Sequence, residues 1–388
     1  MYPTIWVTGI GAVTPGGWTA DETWHTVTAG KSCIRAIDRF ETFPGSSRVG
    51  AMVPGRESML PFDRSQSLEF GQAAAREAVA QAGIDPDERA VDLAIVATHG
   101  ERRLAAGGAE AQIIGITELT DAVARSVGAH RSATVFGACA GSAQAIGAAL
   151  AQLRAGEAGV VLAGGTDSLL REFDFFSFGS LYVMSTRDCP PEEASCPFDS
   201  RRDGFVLAEG AGFLVLETED HAGARNARPL AILEGFGWAQ NAYHMFAPPP
   251  DGLGPTAAMR DALADAHLTP RDIGWINAHG TSTRDNDTCE TQAIRKVFGD
   301  AADGVPVSSS KSQLGHTMAA CGTIEAVISV KALAADLIPP TSNLDDPDPA
   351  CDLDYVPNEA RPARLDHILS NSFGFGGHSA SIVLGRPS

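Results

Sequence analysis

Thr134-Val-Phe-Gly-Ala-Cys-Ala-Gly-Ser-Ala-Gln-Ala-Ile-Gly-Ala-Ala-Leu150 passes from β-forming residues into a run of glycine and alanine. Thr134, Val135 and Phe136 read as the end of a strand, because β-branched and aromatic side chains suit a pleated, half-buried surface. Gly137, Ala138, Ala140 and Gly141 are small enough for a tight strand-to-helix corner. The alanine-rich segment predicts a helix to Arg154, stopped at Gly156. Cys139 falls on the corner itself. A thiol there faces the unpaired N–H groups and positive end of a helix, which favour thiolate. The same N–H groups suit an oxyanion on an attacked carbonyl. A free cysteine is also commonly a buried packing residue, and this stretch alone leaves both readings open.

The rest of the chain narrows the choice. Its 388 residues, 44% apolar content and 41 glycines fit a large α/β enzyme with a substantial core rather than a disordered or fibrous chain. Seven cysteines without paired spacing point to a reducing, cytoplasmic compartment, and the absence of a CxxC pair argues against a zinc site. No basic leader is present, and no run reads as long enough to span a bilayer. A net charge of −19 repels nucleic acid and anionic membrane alike, so neither is expected as a partner.

An internal echo indicates duplication. Gln72–Pro86 (QAAAREAVAQAGIDP) lies over Thr256–Pro270 (TAAMRDALADAHLTP) without a gap, with identities at Ala73, Ala74, Arg76, Ala78, Ala80, Ala82 and Pro86. Each copy precedes an apolar strand ending in His-Gly, at His99-Gly100 and His279-Gly280. A repeated helix-strand unit predicts two similar α/β halves packed together, 1–228 and 229–388. Within the first half, residues 4–13 predict a strand, and the Gly9-x-Gly11 pair lacks the rest of a dinucleotide fingerprint. Residues 67–82 predict a helix capped by Ser67, and Val91–Thr98 a strand. The segment 171–198 reads as irregular and aromatic. Phe205–Leu207 and Gly212–Leu216 read as a hairpin turning at Glu209-Gly-Ala-Gly.

The second half carries the remaining chemistry. His279 ends the strand Trp275-Ile-Asn-Ala-His, on a hydroxyl-rich loop. Lys311 and His316 lie on Lys-Ser-Gln-Leu-Gly-His, ahead of an Ala/Gly-rich helix with Glu325. A glycine loop, Gly374-Phe-Gly-Gly-His378, precedes the last strand. Active residues of α/β folds collect at the carboxyl ends of strands. A Cys/His/His set divides the labour there: the sulfur forms a thioester, and two imidazoles stabilise charge or move protons.

Four ordered motifs carry a resemblance: Ala-Cys-Ala-Gly (138–141), Asn-Ala-His-Gly-Thr-Ser-Thr (277–283), Lys-Ser-Gln-Leu-Gly-His (311–316) and Asn-Ser-Phe-Gly-Phe-Gly-Gly (371–377). In these the chain resembles β-ketoacyl-acyl-carrier-protein synthases, of the synthase II type and the related type II polyketide ketosynthases. The resemblance implies a thiolase-like fold, two duplicated α/β halves in a layered αβαβα arrangement. It implies decarboxylative Claisen condensation of an acyl-Cys intermediate with malonyl-acyl carrier protein. Cys139 is then the nucleophile, with Cys139 and Phe375 N–H groups as the oxyanion hole. His279 and His316 act on the malonyl thioester, and Thr281 and Thr283 meet the phosphopantetheine arm. Lys311 and Glu325 form a supporting charged pair, and Phe375 is a gate. No cofactor or metal is implied, since the substrate rides on the carrier's phosphopantetheine. The implied partners are an acyl carrier protein and a second subunit, as a homodimer or as a heterodimer with a chain-length-factor-like chain. A non-catalytic chain-length-factor-like role for this chain is the alternative; such subunits usually lack the cysteine.

Three departures stand out. The stretch between Val91–Thr98 and Cys139 is shorter than in synthase II. The closing loop has Gly377-His378-Ser379 where Gly-Gly-Thr-Asn is usual. Tyr182 stands where an arginine commonly pairs with the acidic carrier, which leaves Arg102-Arg103 and Arg201-Arg202 as candidate docking cations.

Overall fold

The computed structural model describes residues 2–56, 65–88, 90–104 and 111–387, with the side chains of 102–104 and 111–113 outside that description. The side chains of Arg102 and Arg103, and the whole Leu-Pro-Phe-Asp turn at 60–63, therefore lie outside that description. The first half supplies strands β1 (Ile5–Val13), β2 (Leu93–Ala97), β3 (Arg131–Val135), β4 (Val160–Ser168) and β5 (Glu209–Thr218). The second supplies β6 (Ala231–Gln240), β7 (Trp275–Asn277), β8 (Val307–Ser308), β9 (His367–Gly374) and β10 (His378–Gly385). Among the described residues they form one sheet in the order β8-β7-β9-β10-β6-β1-β5-β4-β2-β3. Counting outward from the centre, the halves run β1-β5-β4-β2-β3 and β6-β10-β9-β7-β8, the same topology twice. They join edge to edge where Ile5, Trp6 and Val7 pair antiparallel with Leu233, Ile232 and Ala231. In each half the two outer pairings are parallel and the inner ones antiparallel.

The helices repeat too: α1 (Gln66–Gln81), α2 (Ile116–Ser126) and α3 (Gly141–Arg154) in one half, α4 (Leu253–Asp265), α5 (Arg284–Phe298) and α6 (Cys321–Ala335) in the other. α3 and α6 touch each other between the two halves of the sheet, while α1 with α2 and α4 with α5 cover the outer faces. The duplicated stretch of sequence builds α1 and α4. Each lies so close to the first strand of its half that no Cβ fits beneath it. A Cβ on Gly9 or Gly11 would meet the Ala78 or Ala74 carbonyl oxygen at 2.0 Å. On Gly235 or Gly237 it would meet those of Ala262 and Ala258 at 2.3 and 2.0 Å. The Gly9-x-Gly11 pair is thus a helix-packing device.

Several expectations are corrected. Met318–Ala335 is long and apolar enough to cross a bilayer, at mean hydropathy 1.5, but 83% of it is buried. Its composition reflects the central layer, where a helix is covered on all sides. The cap of α1 is Ser65, not Ser67: Ser65 is extended and its hydroxyl accepts the Leu68 N–H, while Ser67 is already helical and buried. The segment 171–198 contains a helix, Glu172–Gly179. No hairpin forms at Glu209-Gly-Ala-Gly, because β5 runs straight through it. Gly212 is there for contact, its absent Cβ lying 2.7 Å from the Ile324 nitrogen of α6. Phe205–Ala208 instead lies against the His316 loop, joined by a Leu207–His316 bridge.

Candidate active site

Cys139 sits in a single 3₁₀ turn, Ala138–Ala140, between β3 and α3. Ala138 adopts φ +48, a left-handed conformation that a side chain larger than alanine would strain further. The other half repeats the corner: Met318 has φ +50 and Met318–Ala320 forms the matching turn before α6. Ala319 thus occupies there the place that Cys139 holds here. The backbone N–H groups of Cys139 and Phe375 lie beside the Cys139 sulfur and favour its charged form. The second donor is brought close by Gly374, where an added Cβ would lie 3.0 Å from the Cys139 nitrogen. The thiolate expected from the helix end is not favoured. Burial pushes the thiol up to about 12, against Lys311 and the two N–H donors. Cys139 is 3% exposed, and loss of water around the sulfur outweighs the helix end.

His279 and His316 face each other edge to face, ring centres 5.4 Å apart, and line one cavity of about 470 Å³ with Cys139, Thr281, Thr283 and Phe375. The His279 loop is held by the buried Glu290 carboxylate of α5, which accepts the His279 and Gly280 N–H groups at 2.9 and 2.8 Å. Asn371 of β9 steadies that carboxylate at 3.1 Å. His316 follows Gly315 (φ +71), and its backbone N–H and C=O bond Val206 and Ala208. Its ring stacks edge-on against Phe205 at 5.2 Å. Both imidazoles fall well below their ordinary pKa, first through burial and then through the nearby Lys311 ammonium. They are neutral N–H donors at physiological pH. Lys311 is bonded to Glu325 of α6 in a fully buried pair. Burial opposes charge on both partners. Glu325 outweighs it at Lys311, which stays above its ordinary value, while Glu325 is pushed up to about 7.

Thr281 and Thr283 share a hydrogen bond of 2.9 Å at the cavity wall, and Thr283 caps α5. Phe375 packs edge-on against Phe246 at 5.4 Å. Every site residue expected from the sequence therefore reaches this cavity or, for Lys311 and Glu325, the layer behind it. Sequence reasoning missed Glu290, which its pattern does disclose: it is a carboxylate among Cys289, Ala293 and Ile294 on the apolar side of α5. It also missed the buried Asp167, which accepts the N–H groups of His99 and Ala319 at 2.9 and 2.8 Å and pairs with the His99 ring at 2.8 Å. Burial works against charge on His99, but Asp167 prevails and raises its pKa.

Of the Arg201-Arg202 docking candidates, Arg202 is removed from the surface, while Arg201 stays exposed but is already paired. Arg202 is 1% exposed and spent on Asp348 and Asp287, and Arg201 is paired with Asp199 and Asp345. Tyr182, 93% exposed with φ +56, lies at the cavity mouth, and among the described residues Arg284 is the one Lys or Arg lining it.

Comparison with known proteins agrees with this geometry. Residues 3–222 match the β-ketoacyl synthase N-terminal domain and residues 230–345 its C-terminal domain. The 3-oxoacyl-[acyl-carrier-protein] synthase 2 of Coxiella burnetii is 36% identical over 405 residues, covering 98% of each chain. A solved type II polyketide synthase acyl-carrier protein in complex with its ketosynthase bound to the hexaketide matches at TM-score 0.91 and 33% identity, over 100% of both chains. The ishigamide ketosynthase/chain length factor matches at 0.88 and 31%, again over 100% of both. With a buried cysteine on a helix corner, two neutral histidines across one cavity and matches along nearly its whole length, this chain belongs to the β-ketoacyl synthase family.

Proposed function

We propose that this protein elongates acyl chains, condensing an acyl group held on Cys139 with a malonyl unit on an acyl carrier protein to give a 3-oxoacyl-carrier thioester. The observation that carries this reading is the convergence of Cys139, His279 and His316 on one cavity. In the first step the Cys139 sulfur attacks the thioester carbonyl, and its proton leaves with the carrier's thiol. The N–H groups of Cys139 and Phe375 receive the charge that forms on the carbonyl oxygen. In the second step the malonyl carboxylate departs as CO₂, and the electron pair passes to an enolate whose oxygen meets the His279 and His316 N–H groups. Neutral donors in a dry site stabilise that oxygen without a metal, and losing one such donor typically costs about 10²–10³ in rate. The enolate carbon attacks the acyl-Cys carbonyl, and the released sulfur takes up one proton.

Thr281 and Thr283 line the route for the phosphopantetheine arm, Phe375 gates the chain, and Lys311 with Glu325 supports the histidines from behind. An intact nucleophile with both histidines favours this catalytic role over a chain-length-factor-like one. The pathway is fatty acid or type II polyketide elongation, and the second subunit is a copy of this chain or a chain-length-factor-like partner. We divide the chain at 228/229, between the end of β5 and the start of β6, and place it in the cytoplasm, where its seven free cysteines remain reduced. His316→Ala is the test. It should still take an acyl group onto Cys139 while 3-oxoacyl product falls at least about 100-fold; normal product from this variant removes His316 from the mechanism.

A further inference from the structure

His378 stands at the start of β10 and lines the same cavity as Cys139, although the chemistry above gives it no part. Its Nδ1 lies 3.2 Å from the Nε2 amide of Gln144. An amide nitrogen only donates, so Nδ1 accepts and the ring proton sits on Nε2. The ring is half-buried, and burial holds it below its ordinary pKa, in the neutral state this bond requires.

Where the two partners sit gives the contact its meaning. Gln144 lies in the first turns of α3, five residues beyond Cys139, and its side chain folds back over the corner. An added Cβ on Gly137 would fall 2.1 Å from the Gln144 oxygen. His378 closes the glycine loop that carries Phe375, whose N–H is the second oxyanion donor of the reading above. The strap at 240–245 grips the outer side of that loop: the Gly376 N–H donates to the Met245 carbonyl at 2.8 Å, and the Asn241 N–H to that of Gly377 at 3.0 Å. Among the described residues, Gln144–His378 is the one side-chain hydrogen bond from the loop to the nucleophile helix. One donor of the oxyanion hole belongs to the corner and the other to the loop, and nothing covalent fixes their separation.

We propose that Gln144 and His378 form a positioning pair that sets the distance between the two oxyanion donors, and so the rate at which Cys139 is acylated. The proposal rests on the acyl-transfer reading above. A displacement of about 1 Å from productive geometry costs up to about 10²-fold in rate. Gln144→Leu and His378→Leu are each therefore expected to lower the rate constant for Cys139 acylation about 10- to 100-fold, with KM for the acyl-carrier thioester changed less than about threefold. The double variant should be no slower than the worse single one, as for two partners in one contact. His378→Asn, which keeps an acceptor near the amide, should recover part of the loss.

Iodoacetamide separates positioning from general damage, because alkylation of the sulfur forms no oxyanion. It should proceed within about twofold of the unaltered protein in both leucine variants. Acylation of either leucine variant at the unaltered rate, additive losses in the double variant, or alkylation falling in parallel with acylation would each overturn the pair. If the unaltered protein itself takes no acyl group, the condensing-enzyme reading fails first and the pair falls with it.

Discussion

At the scale of single residues, the site works through what burial does to each titratable group. Cys139, His279 and His316 are all about 3% exposed or less, and for each the lost water is the largest influence. For an imidazole the sign is fixed: a lowered pKa means that the neutral form persists as pH falls through 6.5, and the enolate then finds N–H donors without a competing charge. His99 and His367 lie the other way, raised by Asp167 and Glu234 respectively. A histidine NMR titration should therefore find His279 and His316 still neutral at pH 6, while His99 and His367 are largely protonated there. Titration of either cavity histidine at or above pH 6.5 contradicts this.

Cys139, His279 and His316 were legible as candidates because each sits in a short run of small or hydroxyl residues at a strand or helix end, whereas the Lys311–Glu325 pair was legible only through the resemblance. Glu290 and Asp167 were harder to read because, beside side-chain partners such as Asn371 and His99, each accepts backbone N–H groups, which any residue supplies. Arg202 misled for a related reason: a charge pair looks like surface until carboxylates far along the chain fold onto it, Asp345 at 144 positions from Arg201 and Asp348 at 146 from Arg202.

At the scale of elements, glycine was the hard letter. Turn, bulge and close approach all call for it, and the pattern around Glu209-Gly-Ala-Gly was the same for a hairpin as for a strand pressed against α6. What resolves such cases is a second copy. α1 over Gly9 and Gly11 and α4 over Gly235 and Gly237 are the same contact made twice, and the helix half of it was visible as an echo in the sequence. Gly11→Ala and Gly237→Ala should destabilise the protein alike, each toward the upper end of the about 1–3 kcal/mol that overpacking costs, because each puts a methyl 2.0 Å from a carbonyl oxygen. Denaturant unfolding measures this. A variant as stable as the parent at either position means that the helix has room to shift and the match is superficial.

At the scale of the whole molecule, duplication explains why the proposed catalytic groups meet. Strand ends and helix corners of two equivalent halves face each other across α3 and α6, so Cys139 comes from one half and both histidines from the other. The same layering explains the membrane-like composition of Met318–Ala335, which pairs with α3 inside the protein rather than with lipid. The order of strands was not legible, since nothing local records which edge joins which; the shared topology emerges only from pairing across more than two hundred residues.

The most direct test loads the protein from acyl-carrier thioesters and weighs it intact, beside Cys139→Ala given the same thioesters and malonyl-carrier. The unaltered protein should gain one acyl mass, on the peptide containing Cys139, and the variant none, while decarboxylation of the malonyl unit by the variant persists. Full acylation of Cys139→Ala would place the growing chain on some other residue and end the case for this sulfur.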